Sequence, residues 1–357
     1  MLQTRNHTPF EAMMVPLPDQ NGIDSVVTMI KGTFKFSNNK VSIAPLQKKI
    51  RLTDVFYGDP QTTSIKYASD ISLPKIATDV VVTGSAYAPK GEPYYEFPVS
   101  LSLKREKHGK EEILVEKVLQ IFGDREWEGI KPVITKSKTK PLTKMPLIYE
   151  NAYGGTVFNP KDSTEYQNEP RNPVGKGFYY KKWLPKSDSP ELPNIEDPDN
   201  LITKYGKQPE RIQPAGFGYI APHWQQRVQY AGTYDDNWKK TRAPYLAKDF
   251  SPKFLNTAHP DLIMKGYLKG GEVVSLQGLH PDGDFTFTLP TIKIRVEYYI
   301  DGKTILNVAP IDTLFFEPDE NELTYIWRSS ETCDKKTLKV AKAEVHVESS
   351  DINLELA

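Results

Sequence analysis

Two short runs place paired carboxylates beside aromatic rings, Gly123-Asp124-Arg125-Glu126-Trp127 and Tyr234-Asp235-Asp236-Asn237-Trp238. Glycoside hydrolysis uses that combination: one acid protonates the leaving oxygen, a second attacks or activates water, and a ring stacks on the sugar. Asp124, Asp235 and Asp236 are thus the candidate acids of a carbohydrate-active hydrolase. The same residue types also suit a structural task. Asp124, Arg125, Arg171, Asp235 and Arg242 can form hydrogen-bonded ion pairs that pin irregular chain, work for which the planar guanidinium is well shaped. In a stretch without backbone ladders the pinning role is the stronger expectation.

Other chemistry finds less support. Of the six histidines, His223 beside Trp224 is best placed for acid–base work, yet a structural or surface histidine is the commoner outcome. No His-x-His or His-x-x-x-His spacing occurs, and the lone Cys333 adds no ligand partner, so neither a metal site nor a cofactor is expected. Gly302-Lys303-Thr304 and Gly175-Lys176 lack the upstream glycine of a phosphate-binding loop, and no Gly-x-Ser-x-Gly elbow is present.

Binding fits the residue types better than catalysis. From Pro214 to Ala258 aromatics, glycines and charges follow one another with neither a helical nor a strand period. Trp224, Arg227, Tyr234, Trp238 and Arg242 are of the kinds that dominate protein-binding hot spots, and they are the expected docking face. For the tryptophans, plain core packing is the competing expectation.

The elements around this segment read as strands. Val26, Thr28, Ile30, Phe34 and Phe36 alternate with Lys31, Thr33 and Lys35, and Val99, Leu101 and Leu103 with serines and Lys104, so each apolar set lies on one sheet face. Asp79–Thr83 and Ile113–Ile121 alternate less cleanly, the pattern of strands buried on both sides. Ile292, Ile294, Val296, Tyr298 and Ile300 form another alternating run, and Asp301-Gly302 supplies a two-residue hairpin turn toward Ile305–Val308. Leu323–Arg328 and Ala341–Val347 add two more strands. Between them, residues 123–260 hold more than half of the 29 prolines, which stop long regular elements. Short helices are expected at Trp224–Tyr230 and after Ser251-Pro252. No helix long enough for a parallel crossover is visible, so antiparallel pairing is favoured.

The predicted architecture is therefore mainly β: two antiparallel, sandwich-like β-units at residues 1–125 and 261–357, with a proline-rich irregular segment with short helices at residues 126–260. Its 357 residues exceed what one core usually spans. The 46 basic and 46 acidic residues cancel, giving no general field for nucleic acid or an anionic membrane. No run approaches the roughly 20 apolar residues of a membrane span, and the polar N-terminus does not read as a signal peptide. A single cysteine suits a reducing cytoplasm.

A set of ordered blocks carries a resemblance. They are Lys31-Gly32-Thr33-Phe34; Ser69-Asp70, Pro74-Lys75 and Thr78-Asp79-Val80; Gly84, Ala86, Ala88-Pro89 and Gly91; Gly123-Asp124-Arg125 with Trp127; Met145-Pro146-Leu147 through Gly154-Gly155; and Arg171-Asn172-Pro173-Val174-Gly175. The Pro214–Ala258 segment continues them, and Gly278-Leu279 with Phe287 and Leu289-Pro290 closes them. Together they resemble the bacterial domain-of-unknown-function family 2169 over about residues 6–315, with Tyr219 standing where a proline is expected. The resemblance implies an adaptor or chaperone of the type VI secretion system. Such a protein binds a toxic effector and helps mount it on the valine-glycine-repeat spike, without catalytic residues or cofactor.

Overall fold

In the computed structural model the described residues are 3–353, save 38–39, 131–132, 181, 184–190, 204–211, 334 and 336. Fifteen strands build three main sheets. In chain order they are β1 (Gln3–Asn6), β2 (Glu11–Pro16), β3 (Ser25–Ser37), β4 (Lys40–Ile43), β5 (Asp79–Val82), β6 (Glu96–Lys107), β7 (Lys110–Phe122) and β8 (Ile195–Glu196). They continue with β9 (Val273–Gln277), β10 (Phe285–Thr288), β11 (Ile292–Ile300), β12 (Lys303–Ala309), β13 (Ile311–Glu317), β14 (Glu322–Thr332) and β15 (Val340–Ser350). The fold is mainly β, as expected, with two short helices, α1 (Gln225–Val228) and α2 (Asp236–Thr241).

A six-stranded sheet runs β2-β3-β14-β13-β5, with β4 also on β3. A five-stranded antiparallel sheet runs β8-β7-β6-β9-β10, and a four-stranded one runs β1-β15-β11-β12. Each sheet takes strands from both residues 1–125 and residues 261–357. Antiparallel pairing dominates, but β5 pairs β13 in parallel and β1 pairs β15 in parallel. Those parallel contacts join segments more than 200 residues apart, so no short helical crossover is needed to make them.

β3 is buried along its first ten residues, the polar set included. Its Lys31 and Thr33 are covered by the chain that follows β4. The Gln47 side-chain amide accepts from Thr33 N at 2.8 Å and donates to Thr33 O at 2.9 Å, filling the gap on the β3 edge between β2 and β4. One expectation is corrected at β7. Its exposed and buried residues alternate, with Val115, Leu119 and Ile121 inside and Ile113 and Val118 outside, so it is buried on one face only. The misleading signal was Lys117, which stands in the buried register and ends on Asp261 at 2.6 Å. Its long apolar stem crosses the core edge and carries the ammonium out to the carboxylate.

The irregular segment is not a linker. Tyr149, Ala215, Phe217, Tyr219, Ile220 and Trp224 belong to the same apolar core as the sheets. Tyr219, the departure from the family pattern, is buried with its ring 5.7 Å from that of Phe315. Among the described residues no helix is long and apolar enough to cross a membrane.

Candidate functional site

The segment 214–258 holds its shape through side-chain anchors. Gly216 passes so close to Tyr149 that a Cβ there would lie 2.7 Å from the ring. The Tyr149 ring then meets Trp224 edge-on at 5.1 Å. Trp224 is only 1% exposed, so this ring is core and is not offered to a partner. Burial and a large aromatic payload explain its position without invoking an interface.

Of the other four expected docking residues, Arg227 alone lines the trench formed by two cavities. α1 follows Trp224 and presents Arg227, whose Nη1 and Nε donate to the carbonyls of Ile220 at 2.8 Å and Phe254 at 3.1 Å. The guanidinium also stacks over the Phe254 ring at 4.8 Å. Two cavities, about 640 and 700 Å³, meet at this arginine, which lines both. The smaller is apolar, walled by Ile71, Leu73, Tyr245, Leu246, Phe250 and Phe254. The larger is amide-rich, lined by Gln213, Gln225, Gln226 and Gln229 together with Arg171 and Lys253. Trp238 and Arg242 line neither cavity but brace the backbone of the rim residues Tyr245 and Leu246. Trp238 Nε1 donates to Tyr245 O at 2.8 Å, while Arg242 donates to Leu246 O and Gln20 O, both at 2.8 Å. Tyr234 is exposed and meets Trp238 edge-on at 4.9 Å. Sequence reasoning singled out none of Ile71, Leu73, Tyr245 or Leu246 for this site. The rim pair Tyr245-Leu246 lies next to Pro244 within the segment, and that proximity was its only signal.

Buried charges hold the wall of the trench. Ala68, Ser69, Ile71, Ser72, Leu73 and Lys75 face the apolar cavity from one continuous stretch. Asp70 in this stretch receives Lys31 Nζ and Arg51 N, both at 2.7 Å, and its carbonyl receives Arg328 Nη2 at 2.9 Å. Lys75 reaches Asp79 at 2.7 Å, and Asp79 in turn accepts from Asn256 and Thr257 of the opposite wall. Burial lowers the Lys31 ammonium, against the pull of Asp70. Such pairs cost desolvation energy, and removing one partner would strand the other. The Asp70, Lys75 and Asp79 blocks are therefore fasteners, which fix both walls of the trench relative to the six-stranded sheet.

The candidate acids have other duties. Asp235 caps α2 by accepting from Trp238 N at 2.8 Å, and Asp236 pairs with Lys239 at 3.1 Å. Asp124 accepts from Asn194 at 3.2 Å and lies in a separate cleft of about 270 Å³ shared with Lys138, Lys140 and Lys176. The pinning arginines take partners that the sequence did not point to: Arg125 is buried against Glu196, and Arg171 grips Glu169 through two bonds of 2.6 and 2.7 Å. Burial draws Arg125 down and Glu196 up, each toward its neutral form, while their mutual attraction opposes both shifts.

Among the histidines, His223 is exposed beside Trp224, and partial burial with the nearby Arg227 lowers its pKa. His7 and His346 stack at 4.5 Å, and with Glu344 their ligand atoms fall within 4.8 Å of one another. The parallel β1–β15 pairing brings them together from opposite ends of the chain, where a search for close sequence spacing cannot find them. Lys342 at 2.5 Å and Arg5 at 3.5 Å already neutralise that carboxylate.

The family model of uncharacterized proteins conserved in bacteria (DUF2169) matches residues 21–328. It runs past residue 315, where the resemblance read from the sequence ends, and takes in β14 as far as the buried Arg328. No curated protein and no solved structure matches the chain.

Proposed function

The chain belongs to that bacterial family, and on this premise we propose that it is a non-catalytic adaptor of the type VI secretion system. In this reading it binds a toxic effector in the cytoplasm and helps load it onto the valine-glycine-repeat spike by non-covalent contact. The observation that carries the reading is the trench at Arg227, an open apolar surface on walls already ordered by buried ion pairs. Pre-ordered walls reduce the entropy lost when a partner docks, so binding energy goes into affinity. Apolar side chains around a central arginine are also the composition of an interface hot spot. The acids of the rival hydrolase reading cap a helix, pair with a lysine or lie in a different cleft.

The test is co-expression with a candidate toxin and a valine-glycine-repeat spike from the same bacterium, followed by affinity capture and size-exclusion chromatography. A stable complex with the toxin is expected from the wild type. It should be lost from Leu246→Glu, which puts a charge on the half-buried rim and leaves the core untouched. If neither toxin nor spike associates, the adaptor reading fails. Turnover of a polysaccharide by the pure chain, abolished by Asp124→Asn, would replace it with the hydrolase.

A further inference from the structure

Among the described residues Arg227 has no carboxylate within ion-pair distance, and its third nitrogen, Nη2, has no hydrogen-bond partner. The acids that line the apolar cavity bond to backbone amides: Asp54 accepts from Ser69 N at 2.7 Å, and Asp19 from Asn21 N and Ile23 N at 2.7 and 2.8 Å. On the other side, the described lining of the amide-rich cavity includes Arg171, Arg227 and Lys253 and no acid. Arg171 is matched by Glu169, which leaves Arg227 and Lys253 without an acid partner among the described residues of one hollow. Burial pushes the Arg227 guanidinium down to about 10, against the pull of the Asp79 and Asp54 carboxylates, neither of which reaches ion-pair distance. A desolvated cation of this kind is stabilised by an incoming carboxylate, through a charge-assisted and geometrically specific contact.

Resting on the adaptor reading, we propose that the trench recognises an internal, extended segment of the effector in which an acidic side chain is flanked by bulky apolar ones. The carboxylate meets Arg227 and Lys253, the apolar side chains enter the hollow of Leu73, Leu246, Phe250 and Phe254, and Gln213 and Gln225 bond the main chain, Gln226 and Gln229 already donating to the Arg171 and Gln226 carbonyls. Because cavities open on both sides of Arg227, the occupant runs past the arginine in both directions. A chain end, by contrast, would fill one side only.

Overlapping 15-residue peptides tiling the toxin are arrayed and probed with the full-length chain, then resynthesised with each Asp and Glu changed to Asn or Gln. The peptides bound should carry an internal acid beside Leu, Ile, Phe or Met and lose at least tenfold in affinity on amide replacement. Arg227→Gln should reproduce that loss and then bind the acid and amide peptides alike. Lys253→Gln, at an exposed position whose ammonium lies 5.6 Å over the Tyr230 ring and makes no hydrogen bond among the described residues, gives a second reading that does not endanger the fold, with an expected loss of severalfold and a weaker salt dependence. Acid and amide peptides binding equally would overturn the inference, as would recognition restricted to the toxin's C-terminal peptide. Intact toxin captured undiminished by both Arg227→Gln and Lys253→Gln would overturn it while leaving the adaptor standing. Failure of intact toxin and spike to associate with the wild type would overturn both.

Discussion

His259 is buried with its Nε2 3.1 Å from the Pro214 carbonyl and its Nδ1 accepting from Asp261 N at 3.3 Å. One nitrogen donates and the other accepts, which only the neutral ring can do. Burial, reinforced by Lys117 and opposed by Asp261, pushes its pKa down to about 4. The unfolded chain would bind a proton near pH ~6.5 while the folded chain would not, so stability rises with pH between those values. The contribution is complete above pH ~6.5 and lost as the pH falls toward about 4, with a ceiling of about 3 kcal/mol. Urea unfolding at pH 7.5 and pH 4.5 should show that loss, and in His259→Asn the difference should shrink by most of it. An unchanged difference would place the acid sensitivity elsewhere. At this scale the sequence was a poor guide to partners. It pointed to Arg125 and Arg171 as pins, but Glu196 lies 71 positions from the first, and nothing local announces the pairing.

The β11–β12 hairpin was readable from the sequence because its cause is local. Ile300 pairs Lys303, and the two residues between, Asp301 and Gly302, have φ of 50° and 74°. Both positive angles belong to the tight turn that matches strand twist, and glycine takes them without penalty. Gly302→Val should cost about 1–2 kcal/mol, seen as a lower thermal midpoint, although a Cβ there meets nothing within 4 Å. Asp301→Asn should change the midpoint little, since asparagine suits the same turn. Equal effects from the two variants would mean that backbone conformation is not what the turn selects. β7 shows the limit of the same reasoning. Periodicity reports which residues are apolar, but whether the second face is covered depends on what packs over it.

All three sheets bind the two ends of the chain together. β13 and β14 lie between β3 and β5, and β14 pairs β3 over eleven residues, from Ser25 to Lys35. Ending the chain at residue 260 would therefore open the centre of the six-stranded sheet and expose Ile30 and Phe34, both fully buried in the intact fold. The expected result is a fragment that aggregates or unfolds without a cooperative transition in calorimetry. A sharp transition close to that of the full chain would mean that the N-terminal strands fold as an independent unit.

The amino-acid sequence by itself determined the β class, the run of most strands, the position of the hairpin turn and the proline-broken character of the middle. Each follows from interactions over a few residues: side-chain alternation, allowed φ and ψ, and missing amide donors. Which strands become neighbours, which tryptophan is core and where a trench opens were decided only in three dimensions. Lys75 meets Thr313 across 238 positions, and Arg328 meets Asp70 across 258. Contacts over such separations depend on how the whole chain packs, and no local pattern encodes them.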